Sequence, residues 1–204
     1  MGQITAFNLG EILKIVNCSV YVETGTGIGD SLNYAKSFLF KKLYTIDIDK
    51  DLLENVKSKN NDERIVYINE NSSIAFKTLI PTLDCETSVC FFLDAHLPGA
   101  DFHKISYEES MKQYKMDCFP LEEELKTIQK YRANKKDVII IDDLQFYEPT
   151  QCEHKTWFYG DLQETLGLKQ TSKFIYDMFS ETHDISVYTK HQGYLLLMPK
   201  TNKE

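Results

Sequence analysis

Short apolar runs alternate with amphipathic stretches along this chain. Residues 8–17 (NLGEILKIVN) read as a short amphipathic helix, and Val20–Glu23 as a brief strand. A glycine-rich turn then opens a helix over Gly29–Phe38. Leu43–Asp47 is an apolar strand ending in acid. Asp49–Lys59 places Leu52, Leu53 and Val56 on one face of a helix. Ile65–Ile68 reads as a strand and Ser73–Leu79 as a helix. Val89–Leu93 (VCFFL) is a buried strand running into Asp94, and residues 95–119 follow as a long irregular stretch. Pro120 suits the first turn of a helix to Tyr131, because the N–H it lacks would be orphaned there anyway. Val138–Ile141 is the most apolar strand and runs into Asp142-Asp143. An aromatic-rich loop follows Tyr147, then a helix near Ser172–Phe179. A terminal hairpin pairs Ile185–Thr189 with Tyr194–Met198 through His191-Gln192-Gly193.

Continuous apolar strands alternating with helices imply a mainly parallel sheet covered on both faces. The expected fold is therefore α/β: a Rossmann-like three-layer sandwich, mainly parallel, with a C-terminal antiparallel hairpin. One domain is expected over residues 1–204, with a substrate-side insert around 95–119. Ligands of such sheets bind beyond the carboxyl ends of the strands. Four strands here run out into acid on that edge: at Glu23, at Asp47, at Asp94 and at Asp142-Asp143.

Charge narrows the choice of partner. The net charge of −8 opposes a phosphate backbone, so a nucleic-acid substrate is not expected. Lys41-Lys42 and Lys135-Lys136 are the densest basic runs and read as solvated loop ends. The five cysteines are scattered without a CxxC pair, which fits reduced thiols better than a disulfide framework or a zinc site. No basic segment leads into an apolar run at the N-terminus, no apolar stretch is long enough to span a bilayer, and Ala6 breaks the myristoylation pattern after Gly2. The expectation is a cytoplasmic protein without a membrane partner.

The turn Glu23-Thr24-Gly25-Thr26-Gly27-Ile28-Gly29 carries the first chemistry. Glycine turns the backbone sharply and lets a ligand approach where a Cβ would intrude. Position 30 is Asp, so the third glycine of the dinucleotide fingerprint is missing, which argues against a nicotinamide oxidoreductase. The Gly-x-Gly-x-Gly spacing after an acid resembles motif I of the class I S-adenosylmethionine-dependent methyltransferases. Asp47, at the end of the second strand, can accept hydrogen bonds from ribose hydroxyls. Turn and acid together point to an adenosine-containing ligand.

The second constellation is acidic. Leu93-Asp94-Ala95-His96 and Ile141-Asp142-Asp143 follow two apolar strands. Three carboxylates converging from neighbouring strands repel unless a cation neutralises them. Oxygen ligands suit Mg²⁺ or Mn²⁺, and such an ion would orient and acidify a bound hydroxyl. A non-catalytic adenosine-binding module would need no such trio. Acids in the first turn of a helix favour its dipole, so Glu122, Glu123 and Glu124 are left outside the site.

The segments ETGTGIG, YTIDID, LDAH, PLEEEL and VIIIDD, in this order over roughly residues 20–150, resemble the small metal-dependent sugar O-methyltransferases, including those of macrolide deoxysugars. The resemblance implies methyl transfer from S-adenosylmethionine, with S-adenosylhomocysteine as product, to a hydroxyl of a small-molecule or glycan acceptor. It implies donor binding by Glu23, Thr24, Gly25, Gly27, Gly29, Asp47, Ile48 and Asp94, and adenine contacts from Asn71 and Ser72, either of which also suits a helix cap. Asp94, Asp142 and Asp143 would hold the metal, and Asp94 or His96 would take the hydroxyl proton. Catechol and caffeoyl-CoA O-methyltransferases carry a similar trio, usually ending in Asn; Asp143 stands at that place here and leans toward the sugar enzymes. Phe102, His103, Tyr107, Tyr114 and Phe119 in the insert, and Phe146, Tyr147, Trp157, Phe158 and Tyr159 after the fifth strand, are candidate stacking surfaces for an acceptor ring.

Overall fold

The computed structural model describes residues 4–102, 104–148, 152–153 and 171–200. Seven strands form one sheet: β1 (Cys18–Thr24), β2 (Lys42–Asp47), β3 (Ile65–Asn69), β4 (Ser88–Leu93), β5 (Val138–Ile141), β6 (His183–Tyr188) and β7 (Tyr194–Pro199). Their spatial order is β3-β2-β1-β4-β5-β7-β6. β1 to β5 pair in parallel, while β7 runs antiparallel to both β5 and β6. The order reverses between β1 and β4, and a crevice opens at their carboxyl ends.

Strand residues alternate between two cores. On one face Tyr21, Leu43, Phe92 and Ile140 meet α1 (Leu9–Ile15), α2 (Asp30–Ala35) and α3 (Lys50–Ser58) through Leu9, Ile12, Leu32 and Val56. On the other, Val22, Ile46, Phe91 and Ile139 meet α4 (Ser72–Leu79) and α6 (Leu121–Arg132), which follows α5 (Tyr107–Tyr114), and also α7 (Lys173–Phe179). Burial on both faces explains why the strands read as unbroken apolar runs. Truncating a ring such as Phe91 or Phe92 would cost about 3–5 kcal/mol.

The structure departs from the sequence reading in the insert. Residues 95–119 are not irregular throughout: α5 occupies Tyr107–Tyr114, and a short 3₁₀ turn covers Lys115–Cys118. Ser106 caps α5 in a capping box, accepting from the Glu109 amide (3.1 Å) while Glu109 accepts from the Ser106 amide (2.8 Å). α2 ends earlier than expected, where the Ser37 hydroxyl donates to the Tyr34 carbonyl (2.7 Å).

At the opposite edge, where β4 and β5 begin, Arg132 and Asp137 form a buried ion pair at 2.7 and 2.8 Å. Asp137 also accepts the Val89 amide (2.8 Å), and Arg132 donates to the Thr87 carbonyl (2.5 Å).

Candidate active site

The chain leaves β1 at Gly25, and three glycines with positive φ carry it into α2. Two of them show what demands glycine. A Cβ on Gly25 (φ +78°) would stand 2.6 Å from the Asp94 carbonyl oxygen, so the close passage of β1 by the end of β4 excludes a side chain. A Cβ on Gly27 (φ +52°) would stand 2.9 Å from the Phe102 ring. Asp47 holds this turn from the end of β2, accepting the amides of Gly27 (3.0 Å) and Asp49 (2.8 Å). Burial raises the Asp47 carboxyl above its ordinary value despite those two donors.

These elements wall a cleft that opens to solvent. Gly25, Gly27, Asp47, Ile48, Asn71, Ser72 and Asp94 line it as the sequence suggested. Asn71 also caps α4, accepting from the Ser73 amide (2.9 Å). Glu23, Thr24 and Gly29 do not line it. Glu23 is still within the ladder, facing Thr45 on β2, and its carboxylate accepts from Tyr21 (2.8 Å) and Thr45 (2.6 Å) hydroxyls. Burial pushes it up to about 7. The Thr24 hydroxyl accepts the Asp94 amide (3.3 Å), and a Cβ on Gly29 would meet Val56 of α3. These three build the floor and flank of the turn.

β4 and β5 pair with Leu93 beside Ile141, so Asp94 and Asp142 leave the sheet together, the Asp142 amide donating to the Leu93 carbonyl (3.0 Å). They border a second, smaller cavity with His96, Glu124, Asp143 and Tyr147. Asp94, Ala95 and His96 line both cavities. One ligand atom each from Asp94, His96 and Asp143 lie within 4.8 Å of one another. Asp142, expected beside them, is absent from that grouping: its Oδ1 accepts the Asp143 amide (2.7 Å), and its buried Oδ2 has no hydrogen-bond partner among the described residues. Asp143 sits at φ +52° and accepts from the Gln145 amide side chain (2.6 Å).

His96 binds this group from within. Its Nε2 lies 2.8 Å from Asp101, and its Nδ1 3.2 Å from Asp143 and 3.1 Å from the Asp94 carbonyl. Burial alone would lower its pKa, but Asp143, Asp101 and Asp94 raise it well above the ordinary value, so His96 is held as a cation. Burial, then Asp142, pushes Asp94 well up, with His96 opposing. Burial, then Asp143, does the same to Asp142. Asp101 was not anticipated. Burial would raise it, but His96 brings it below the usual range, and it accepts the Tyr107 hydroxyl of α5 (3.0 Å).

The insert covers the cleft. Phe102 lines it above Gly27, and Lys104 pairs with Asp49 at 2.5 Å across its mouth. Tyr147 is buried, Tyr114 packs against the core, and Phe119 and Phe146 meet edge to face (5.1 Å) beside His96. His103, Trp157, Phe158 and Tyr159 lie outside the described residues. Among the first-turn acids of α6, Glu122 and Glu123 reach solvent and Lys126, but Glu124 is turned inward and 1% exposed. Burial pushes Glu124 up to about 7, against the nearby hydroxyls of Ser72 and Thr24. Among the described residues no helix is long and apolar enough to cross a membrane.

No family model matches the chain. Solved structures do share its fold. S-adenosylhomocysteine-bound methyltransferase PaMTH1 of Podospora anserina aligns with TM-score 0.57 at 14% identity, covering 97% of this chain and 84% of its own. A provisionally named caffeoyl-CoA O-methyltransferase of Staphylococcus aureus aligns with TM-score 0.58 at 12% identity, covering 98% and 85%. An rRNA methylase of Streptococcus thermophilus aligns with TM-score 0.52 at 14% identity, covering 94% of each chain. The chain has the Rossmann-like α/β fold of the S-adenosylmethionine-dependent methyltransferases. At these identities the likeness concerns the fold, and the acceptor must be argued from the site.

Proposed function

We propose that this protein transfers a methyl group from S-adenosylmethionine to a hydroxyl of a sugar, as a free small molecule or within a glycan, with help from a divalent cation. The observation that carries the reading is the junction of two cavities. A cleft walled by the glycine turn, Asp47-Ile48 and Asn71-Ser72 meets an acid-lined cavity at Asp94, Ala95 and His96. Donor and acceptor sides thus share one wall, as an in-line displacement requires.

In this reading Asp47 and the turn it holds receive the ribose, and Asn71 and Ser72 flank the adenine. The acid side fits a cation: Asp94, Asp142 and Asp143 border one cavity, and Asp142 Oδ2 is buried without a partner among the described residues. A bound Mg²⁺ or Mn²⁺ would supply Lewis acidity to the acceptor hydroxyl. His96 has both ring nitrogens engaged, with Asp101 and Asp143, so it positions Asp143 at the cavity. Asp94, bordering both cavities, is the group placed to take the hydroxyl proton. The acidic lining and the net charge of −8 disfavour nucleic acid.

Calorimetry with S-adenosylhomocysteine and NAD, followed by methyl transfer to sugars, phenols and catechols with and without EDTA, tests this. We expect S-adenosylhomocysteine binding, sugar methylation, and turnover lost on chelation and restored by Mg²⁺ or Mn²⁺. NAD binding in place of S-adenosylhomocysteine would overturn the assignment. Transfer confined to phenols would move the acceptor class, and full turnover after exhaustive chelation would remove the metal.

A further inference from the structure

α6 carries an acid where its helical period calls for an apolar residue. Leu121, Glu124, Leu125 and Ile128 share the buried face, and Glu124 is 1% exposed. A carboxylate desolvated this far needs a cation, a proton or a set of donors. Among the described residues no Lys, Arg or His forms an ion pair with it; the Ser72 and Thr24 hydroxyls lie near its carboxyl, but its Oε1 has no hydrogen-bond partner. The same is true of Asp142 Oδ2, on a different element. Both residues line the small cavity that Asp94 and Asp143 also border. His96 on this wall is engaged with Asp101 and Asp143. Glu124 of α6 and Asp142 at the end of β5, each with an unpartnered buried oxygen, therefore border one small space, beside the closer grouping of Asp94, His96 and Asp143.

We propose that Glu124 is a ligand of the divalent cation, a fourth carboxylate beside Asp94, Asp142 and Asp143. The inference rests on the metal reading above and adds to it a ligand from a helix, outside the strand ends. An all-oxygen set of this kind selects a hard ion such as Mn²⁺ or Mg²⁺. Glu124 also gives the ion a structural consequence, since it would tie α6 to β4 and β5.

The test is Mn²⁺ titration of the full chain, followed by electron paramagnetic resonance of the free ion, for wild type, Glu124→Gln, Asp142→Asn and Glu122→Gln. We expect the wild type to bind Mn²⁺, Glu124→Gln to bind about tenfold or more weakly, and Glu122→Gln to match the wild type. At equal Mn²⁺ concentration the melting temperature should rise less for Glu124→Gln than for the wild type. Should Glu124→Gln fail to fold, Glu124→Asp keeps the charge but withdraws it, and should also bind Mn²⁺ more weakly. Unchanged affinity in a folded Glu124 variant, with loss in Asp142→Asn, would overturn the role of Glu124 and leave the metal reading intact. A wild type that binds no Mn²⁺ would overturn both.

Discussion

Two charged groups sit at opposite edges of the same strands. Where β4 and β5 begin, Asp137 meets the Arg132 guanidinium at two points and accepts a backbone amide, and Arg132 spends its remaining donors on carbonyls. Where the strands end, Asp94, Asp142, Asp143 and Glu124 border a cavity with one imidazole among them, and two of their oxygens are unpartnered among the described residues. The first group is closed: each charge has its complement. The second is open, and keeping it open costs stability. Completeness of pairing separates a staple from a site here, and the staple is also the more deeply buried of the two.

The largest effect should come from breaking the closed group. Arg132→Ala strands Asp137 in the interior and should cost about 3–5 kcal/mol in denaturant unfolding. At roughly 2–4 °C per kcal/mol for a domain of this size, the melting temperature should fall by roughly 6–20 °C. A loss below about 1 kcal/mol would erase the contrast.

Asp142→Asn attacks the open group and should behave oppositely. In metal-free protein it removes one of several repelling carboxylates, so stability should hold or rise. Turnover should fall by about 100-fold or more, while S-adenosylhomocysteine still binds. A large loss of stability in that variant would show the cluster to be structural.

Much of this contrast was legible beforehand, and the remainder has physical reasons. The strands and the glycine turn were readable because buried parallel strands are apolar throughout and end where polarity resumes. Glu23 and Thr24 lie beneath the cleft rather than on its wall because sequence does not show where a ladder stops, and both are still paired with β2 and β4. Glu124 was hidden by a sound rule, since acids suit the first turn of a helix; its inward direction follows from Leu121, Leu125 and Ile128 beside it. The Ser106-x-x-Glu109 box was visible, but α5 buries few apolar residues and its pattern is weak.

Asp47→Ala sharpens the comparison on the donor side. It removes a carboxylate from the cleft and also releases the Gly27 amide. S-adenosylhomocysteine affinity should fall roughly 10- to 150-fold, corresponding to about 1.5–3 kcal/mol for a charged hydrogen bond. Calorimetry showing unchanged affinity would remove Asp47 from the donor site.

The smallest effect is a slope. Burial raises Glu23 from an ordinary 4.5 to about 7, so the folded chain holds its proton where the unfolded chain has lost it. Stability from this group is therefore complete below about 4.5, falls as pH rises toward 7, and is constant above. Glu23→Gln should flatten that fall by on the order of 1 kcal/mol per pH unit. Unfolding curves of both proteins across this range check it, and parallel slopes would reject it.

The antiparallel hairpin bears on when the acidic edge takes shape. Leu144 and Gln145, directly after the two aspartates, donate their amides to the carbonyls of Gly193 (3.0 Å) and Gln192 (2.9 Å). β5 itself is flanked on one side by β7. During synthesis, Gly193 emerges 50 residues after Asp143 (193 − 143). At about 5–20 residues per second that is a wait of roughly 2.5–10 s. The glycine turn and Asp47 can meet much earlier, from β1 and β2 alone. The residues of the glycine turn and Asp47 are thus synthesised well before the hairpin that holds Leu144 and Gln145 beside the acidic cavity.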